Sequence, residues 1–204
     1  MLIDLTHTFT ENMPVYPGDS KPEFKQVSDM CGKGCTRYEV KTSMHVGTHI
    51  DAPFHMLENG KRLSEINIER FFGNGILLDA RGKDKIDIDL LEGKSIKKDS
   101  IVFIMTGLYK RFGSEDYYKN YPEITEAFAR EVVKLDVKIV GIDTPSPDRA
   151  PFKIHKILLE KEILIIENLT NLEQLFNIEN FEVIALPVKF NLDGAPVRVV
   201  AKII

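Results

Sequence analysis

Between Tyr38 and Ile50 the chain alternates. Tyr38, Val40, Thr42, Met44, Val46, Thr48 and Ile50 take the even positions, and Glu39, Lys41, Ser43, His45, Gly47 and His49 the odd ones. A period of two predicts a strand with one apolar and one polar face. Asp51-Ala52-Pro53 closes it, because Pro53 has no N–H to give a ladder. A shorter alternation predicts an opening strand over Met1–Phe9. Gly75–Asp79, Ser100–Met105, Val137–Ile142 and Ile163–Ile166 are short apolar runs, the pattern of strands buried on both faces. Glu182–Lys189 and Val197–Ile203 predict two more strands. Helical spacing appears at Ile124, Ala127, Phe128, Glu131, Val132 and Leu135, with Pro122 placed in the first turn. Ile86–Glu92 reads as a short acidic segment or helix, and Ile154–Glu160 and Leu172–Phe176 as short helices.

These elements, roughly eight strands and three or four helices, carry no repeat and no linker. The fold class they predict is α/β: a mixed sheet or partly closed barrel with flanking helices, in one domain over residues 1–204.

Composition narrows the classes. The hydrophobic share is 43%, ordinary for a soluble protein. No apolar run approaches the ~20 residues of a membrane span. MLIDLTHTF lacks a basic stretch followed by an apolar block, so a cytoplasmic location is expected. The net charge is −4 with both signs intermixed, which gives no basic stripe for nucleic acid. Cys31 and Cys35 lie in the turn CGKGC without a second Cys or His pair, and read as reduced loop thiols.

The chemistry concentrates in His45–His55, HVGTHIDAPFH, which holds three of the five histidines and one aspartate. His45 and His49 at a spacing of four would share one face of a helix, but Gly47, Thr48 and Pro53 argue against a helix here. On a flat strand residues four apart stand ~13 Å apart. Zinc–nitrogen bonds are ~2 Å long, so two ligating imidazoles must converge. A break near Gly47 would swing His49 and Asp51 back toward His45. Two distant residues are candidates to complete the site. His155 sits on a predicted helix after the loop Asp143-Thr144-Pro145-Ser146-Pro147, and Glu167 ends the apolar run ILII, where a buried carboxylate needs a partner. Met13-Pro14-Val15-Tyr16-Pro17-Gly18-Asp19 is turn chemistry that carries an aromatic, Tyr16, able to wall a pocket.

HVGTHIDAPFH resembles the signature of the cyclase-like metal-dependent hydrolases, the family that includes bacterial kynurenine formamidase (arylformamidase) and isatin hydrolase. The likeness extends over Pro14–Asp19, Gly141–Ser146, Ile184–Lys189 and Ala195–Arg198. The resemblance implies a swivelling β/β/α type of fold, two adjacent metals (zinc, with manganese as the other candidate) and a homodimer or homotetramer. It implies that His45, His49 and Asp51 hold one metal, that His155 holds the other, and that Asp51 and Glu167 bridge them. His55 would then be the catalytic acid/base. The reaction implied is attack of a metal-bound hydroxide on the formyl carbon of an aryl formamide such as N-formylkynurenine. An alternative within the family is a cyclic amide or lactone hydrolase. A mononuclear iron oxidative enzyme and a non-catalytic zinc-binding protein are the readings from other classes. Arylformamidases commonly carry tryptophan where this chain has Tyr16, which still offers a ring for an aromatic substrate to stack on.

Overall fold

The apolar runs pair side by side. A computed structural model describes all 204 residues. Its strands are β1 (Leu2–Asp4), β2 (Glu23–Ser28), β3 (Arg37–Lys41), β4 (His49–Asp51), β5 (Phe72–Asp79) and β6 (Lys85–Ile86). There follow β7 (Ile101–Met105), β8 (Glu123–Ile124), β9 (Ile139–Ile142), β10 (Leu164–Glu167), β11 (Phe181–Pro187) and β12 (Gly194–Ile203). The helices are α1 (Met30–Lys33), α2 (Glu126–Lys134) and α3 (Lys153–Leu159).

β5, β7, β9 and β10 run parallel, while β4, β12 and β11 continue antiparallel from β10 back to β5. The ring closes because the long β12 pairs with β11 along one edge and with β4 along the other, leaving room for β1 further along. The result is a seven-strand mixed barrel, the class that the pattern predicts.

Alternation on β7 separates two cores. Ile101, Phe103 and Met105 turn to one face with Ile50, Leu164, Ile166, Ala185 and Val199. Val102 and Ile104 turn to the other, with Val140, Ile142 and Ile165, beneath Phe128, Ala129 and Val132 of α2 and Leu158 and Leu159 of α3. Each of the larger side chains among them contributes about 1.5–3 kcal/mol when fully buried. No helix is long and apolar enough to cross a membrane.

Several boundaries differ from the sequence expectation. The strand predicted over Tyr38–Ile50 is two strands: β3 ends at Lys41, bends follow, and only His49–Asp51 rejoins the barrel. The alternation over Tyr38–Lys41 faces no core: all five residues of β3 are exposed, in a hairpin paired only with β2. α2 begins after Thr125, whose hydroxyl accepts from Phe128 N, so Pro122 lies outside it and Glu123–Ile124 is strand instead. Ile86–Glu92 divides into the end of β6 and a 3-10 turn.

Candidate metal centre

β4 is where the barrel closes, and its register places the first donors. Facing it, Glu167 pairs with His49 and Ile165 with Asp51 from β10, while Pro196 and Gly194 pair with the same two residues from β12. A period of two puts His49 and Asp51 on one face. The chain reaches β4 through a bend in which Gly47 has φ +65°. That left-handed backbone favours glycine, and a Cβ there would also lie 2.5 Å from the Met13 methyl, which would have to shift. The predicted break at Gly47 is therefore present, and it returns His45 to Asp51, with Nδ1 2.8 Å from Oδ1. A Cβ on Gly194 would meet Ile50 O at 2.7 Å and the His45 ring at 3.1 Å, which lets β12 close against the site.

The two carboxylates each divide their oxygens. Asp51 Oδ1 faces His45 and His49 (Nε2 at 3.5 Å), and Oδ2 faces His155 Nε2 at 3.8 Å. Glu167 Oε2 faces His49 Nε2 at 3.3 Å, and Oε1 faces His155 Nε2 at 3.3 Å. Nitrogen and oxygen donors thus form two adjoining groups, one around His45 and His49 and one around His155, with Asp51 and Glu167 reaching into both. His49 Nε2 and Asp51 Oδ2 are buried and make no hydrogen bond. A buried polar atom left without a partner costs about 1–3 kcal/mol, and a divalent cation would partner both. The donor set fits divalent metal of the kind that the family resemblance implies.

The nitrogens turned away from this centre are all engaged. His49 Nδ1 donates to Gly47 O at 2.8 Å, His155 Nδ1 faces Asp148 Oδ1 at 2.5 Å, and His45 Nε2 faces Asp193 Oδ2 at 2.8 Å. Such outer contacts fix which nitrogen is free to bind a metal: Nδ1 of His45, and Nε2 of His49 and His155. Asp148 also accepts from Ile154 N at 2.6 Å, so it anchors the start of α3 and His155 together.

Charge follows the same arrangement. Burial works against protonating His45, yet Asp51 and Asp193 raise its pKa to about 10. Burial likewise opposes, and Asp148 and Glu167 overcome, for His155 at about 10. Burial would raise the Asp51 carboxyl, but the surrounding histidines hold it well below the ordinary range. Without a cation the histidines supply the positive charge that two buried carboxylates demand, so metal and protons compete for the same atoms.

His55 stands at the edge of this cluster. Pro53 starts the 3-10 turn Pro53–His55 directly after β4. The His55 ring packs 3.9 Å from that of His45. Burial pushes its pKa down, against Asp51, which raises it. It faces a cavity of about 260 Å³ whose walls include Tyr16, Met56, Tyr118 and Phe152, with His45, His49, His155 and Glu167 at its base. Tyr16 comes from the same chain, and its ring meets Tyr118 edge-on at 5.9 Å. A larger groove of about 840 Å³ beside β5 holds none of the histidines and lies away from the chemistry.

All the predicted site residues therefore meet: His45, His49, Asp51, His55, His155 and Glu167 around one centre, with Tyr16 on the wall above. Sequence reasoning missed Asp148 and Asp193. Both sit in loops without periodicity, and only the Asp-Gly turn signal at 193–194 marked either.

The chain matches the family model described as Putative cyclase over residues 3–149. It is 36% identical over 204 residues to an uncharacterized protein of Methanocaldococcus jannaschii, covering 98% of each chain. It is 30% identical over 201 residues to a kynurenine formamidase of Geobacillus thermodenitrificans, covering 96% of this chain and 94% of that one. Its fold is similar to that of isatin hydrolase A from Labrenzia aggregata bound to benzyl benzoate, with a TM-score of 0.89 at 25% identity, covering 100% of this chain and 93% of the other.

Proposed function

We propose a function from one premise: the chain belongs to the cyclase family. It acts as a metal-dependent hydrolase on the C–N bond of an aryl formamide, with N-formylkynurenine the substrate to try first. The observation that carries this reading is the pair of carboxylates, Asp51 and Glu167, split between two histidine groups at the base of an aromatic-walled cavity.

His45, His49, Asp51, His155 and Glu167 would hold the metals; nitrogen and carboxylate donors suit zinc and accept manganese. Bound there, divalent metal supplies Lewis acidity, which activates water near neutral pH and stabilises developing negative charge on the carbonyl oxygen. Tyr16, Tyr118 and Phe152 hold the aryl ring. His55, held neutral by its burial, takes the proton released as water adds to the formyl carbon. It then returns that proton to the aryl nitrogen as the C–N bond breaks, giving an aryl amine and formic acid, which releases its proton to solvent as formate. An anilide leaves poorly unless protonated, so the second transfer matters as much as the first.

A cyclic amide such as isatin would use the same residues, and the likeness to isatin hydrolase A favours it as the second reading. Assays of the zinc-loaded protein separate the two. N-formylkynurenine turnover supports the first; ring opening of isatin with N-formylkynurenine inert replaces it with the second. His55→Ala should keep its bound metal and lose most turnover. Loss of metal instead would make His55 a ligand, for which its distances also suffice.

The same reading includes a homo-oligomer. The hairpin β2–β3 leaves Tyr38 and Val40 exposed, and Leu186, Val188, Phe190 and Leu192 are exposed at the end of β11 and in the segment after it. Faces of this kind suit a second copy of the chain. Sedimentation analysis that finds only monomer would remove this part of the proposal.

A further inference from the structure

We infer that Asp193 is a positioning residue that holds His45 and His55 together through one carboxylate oxygen, fixing the metal-facing nitrogen of the first and the cavity-facing nitrogen of the second. The inference rests on the proposed role of His55 as proton carrier.

Asp193 Oδ2 lies 2.8 Å from His45 Nε2 and 3.5 Å from His55 Nδ1. The two rings are tilted by 33° with centroids 3.9 Å apart, so the carboxylate runs along the shared edge of a packed pair. The backbone of the same residue serves the same end. Asp193 O accepts from Ala52 N at 2.9 Å, and Ala52 caps the turn that carries His55. Gly194, the next residue, permits the close approach to Ile50 and His45. One short stretch thus sets the height of the His55 turn through its main chain and the rotation of both rings through its side chain.

The consequence for His55 follows from imidazole chemistry. A carboxylate beside Nδ1 favours the tautomer with its proton there and leaves Nε2 as the free base. Proton transfer at the cavity needs that free nitrogen. A 3.5 Å contact is long for a hydrogen bond, but contacts to catalytic groups commonly tighten when substrate binds. Asp193 is half-exposed while Asp148, the corresponding partner of His155, is buried, which suits a carboxylate that serves the rim as well as the metal.

The test uses Asp193→Asn and Asp193→Ala in the full chain, loaded with zinc and labelled with nitrogen-15 at histidine. At saturating zinc both variants should carry the wild-type metal content. On an aryl formamide kcat should fall by at least about tenfold with KM within about threefold, the scale of an outer-shell contact. Long-range proton–nitrogen spectra should show that His55 loses its single Nδ1–H tautomer, and Asp193→Glu should restore part of it. Unchanged kcat with an unchanged His55 tautomer overturns the inference. So does weaker zinc binding with the His55 tautomer and the turnover per bound metal both intact, because Asp193 would then serve His45 alone. If wild-type protein cleaves neither aryl formamide nor isatin, the proposed function fails, and the tautomer of His55 still decides the role of Asp193.

Discussion

Glu167 stands directly opposite His49 in the antiparallel pairing of β10 with β4, and the two side chains meet 3.3 Å apart. The ladder itself thus sets this pair. Moving β4 by one residue would turn His49 and Asp51 together to the other face, away from Glu167.

Glu167→Gln keeps the shape and removes the charge that both histidine groups share. Its zinc affinity should fall by at least about tenfold, read by competition with a chromophoric chelator. Wild-type affinity in this variant would mean that Glu167 is no ligand.

Zinc should stabilise the fold, because its donors come from β4, α3, β10 and the bend before β4. Free zinc at about 100 times its Kd should add about 2.7 kcal/mol, and chelator should take it away. Thermal unfolding with and without metal checks this; an unmoved Tm contradicts the assigned site.

Gly47→Ala should cost at least about 1–2 kcal/mol for the left-handed backbone alone, with a further loss from the Met13 contact. Met13→Ala has its own cost because Met13 is buried, so the relief is read from a double-mutant cycle. In urea unfolding, Gly47→Ala should cost less in a Met13→Ala background than in the wild type, but still cost the backbone strain. A Gly47→Ala cost of zero in the Met13→Ala background would mean that backbone strain at Gly47 contributes nothing.

Asp148→Asn should weaken zinc binding by about 10–100-fold, through His155, without touching the metal itself. Titration calorimetry that finds wild-type affinity would exclude it as an outer partner.

His7 gives a pH dependence separate from the metal. Its Nε2 is buried without a hydrogen bond, its ring stacks on Phe112 at 3.8 Å, and burial lowers its pKa from 6.5 to about 4. Between those values the unfolded chain takes up a proton that the folded chain refuses. The stability that neutral His7 contributes is therefore complete above about pH 6.5 and is lost as pH falls toward 4. Urea midpoints at pH 7 and pH 5 should differ less in His7→Phe than in the wild type; equal differences would contradict this.

The residues that sequence could identify were those with a local reason to be noticed. His45, His49, Asp51 and His55 crowd one stretch, Gly47 and Pro53 mark its bend and its stop, and Glu167 ends an apolar run. His155 was a weaker sign, made firm by what Asp148 does to its ring. Asp193 acts across the fold on His45, and Asp148, only seven residues before His155, lies in an aperiodic loop whose turn back onto the ring no spacing rule announces. The barrel strands were legible because burial leaves a continuous apolar run. Of the hairpin β2–β3, the alternation showed Tyr38–Lys41 as strand but joined it to β4, and β2 went unseen, because the hairpin's apolar positions have no core to answer. Helix α2 began late because Thr125 offers a better cap than Pro122 offers a first turn.

The closing of the barrel at β4 also has a kinetic meaning. Three residues must find partners on β10 and at the start of β12, both far along the chain, and contacts of that span form slowly. Asp51, His155 and Glu167 come within reach of one another only when that ring is complete. His45, His49 and Asp51 share one short stretch, but His155 and Glu167 join them only through that closure, so completing the centre and closing the ring are one event.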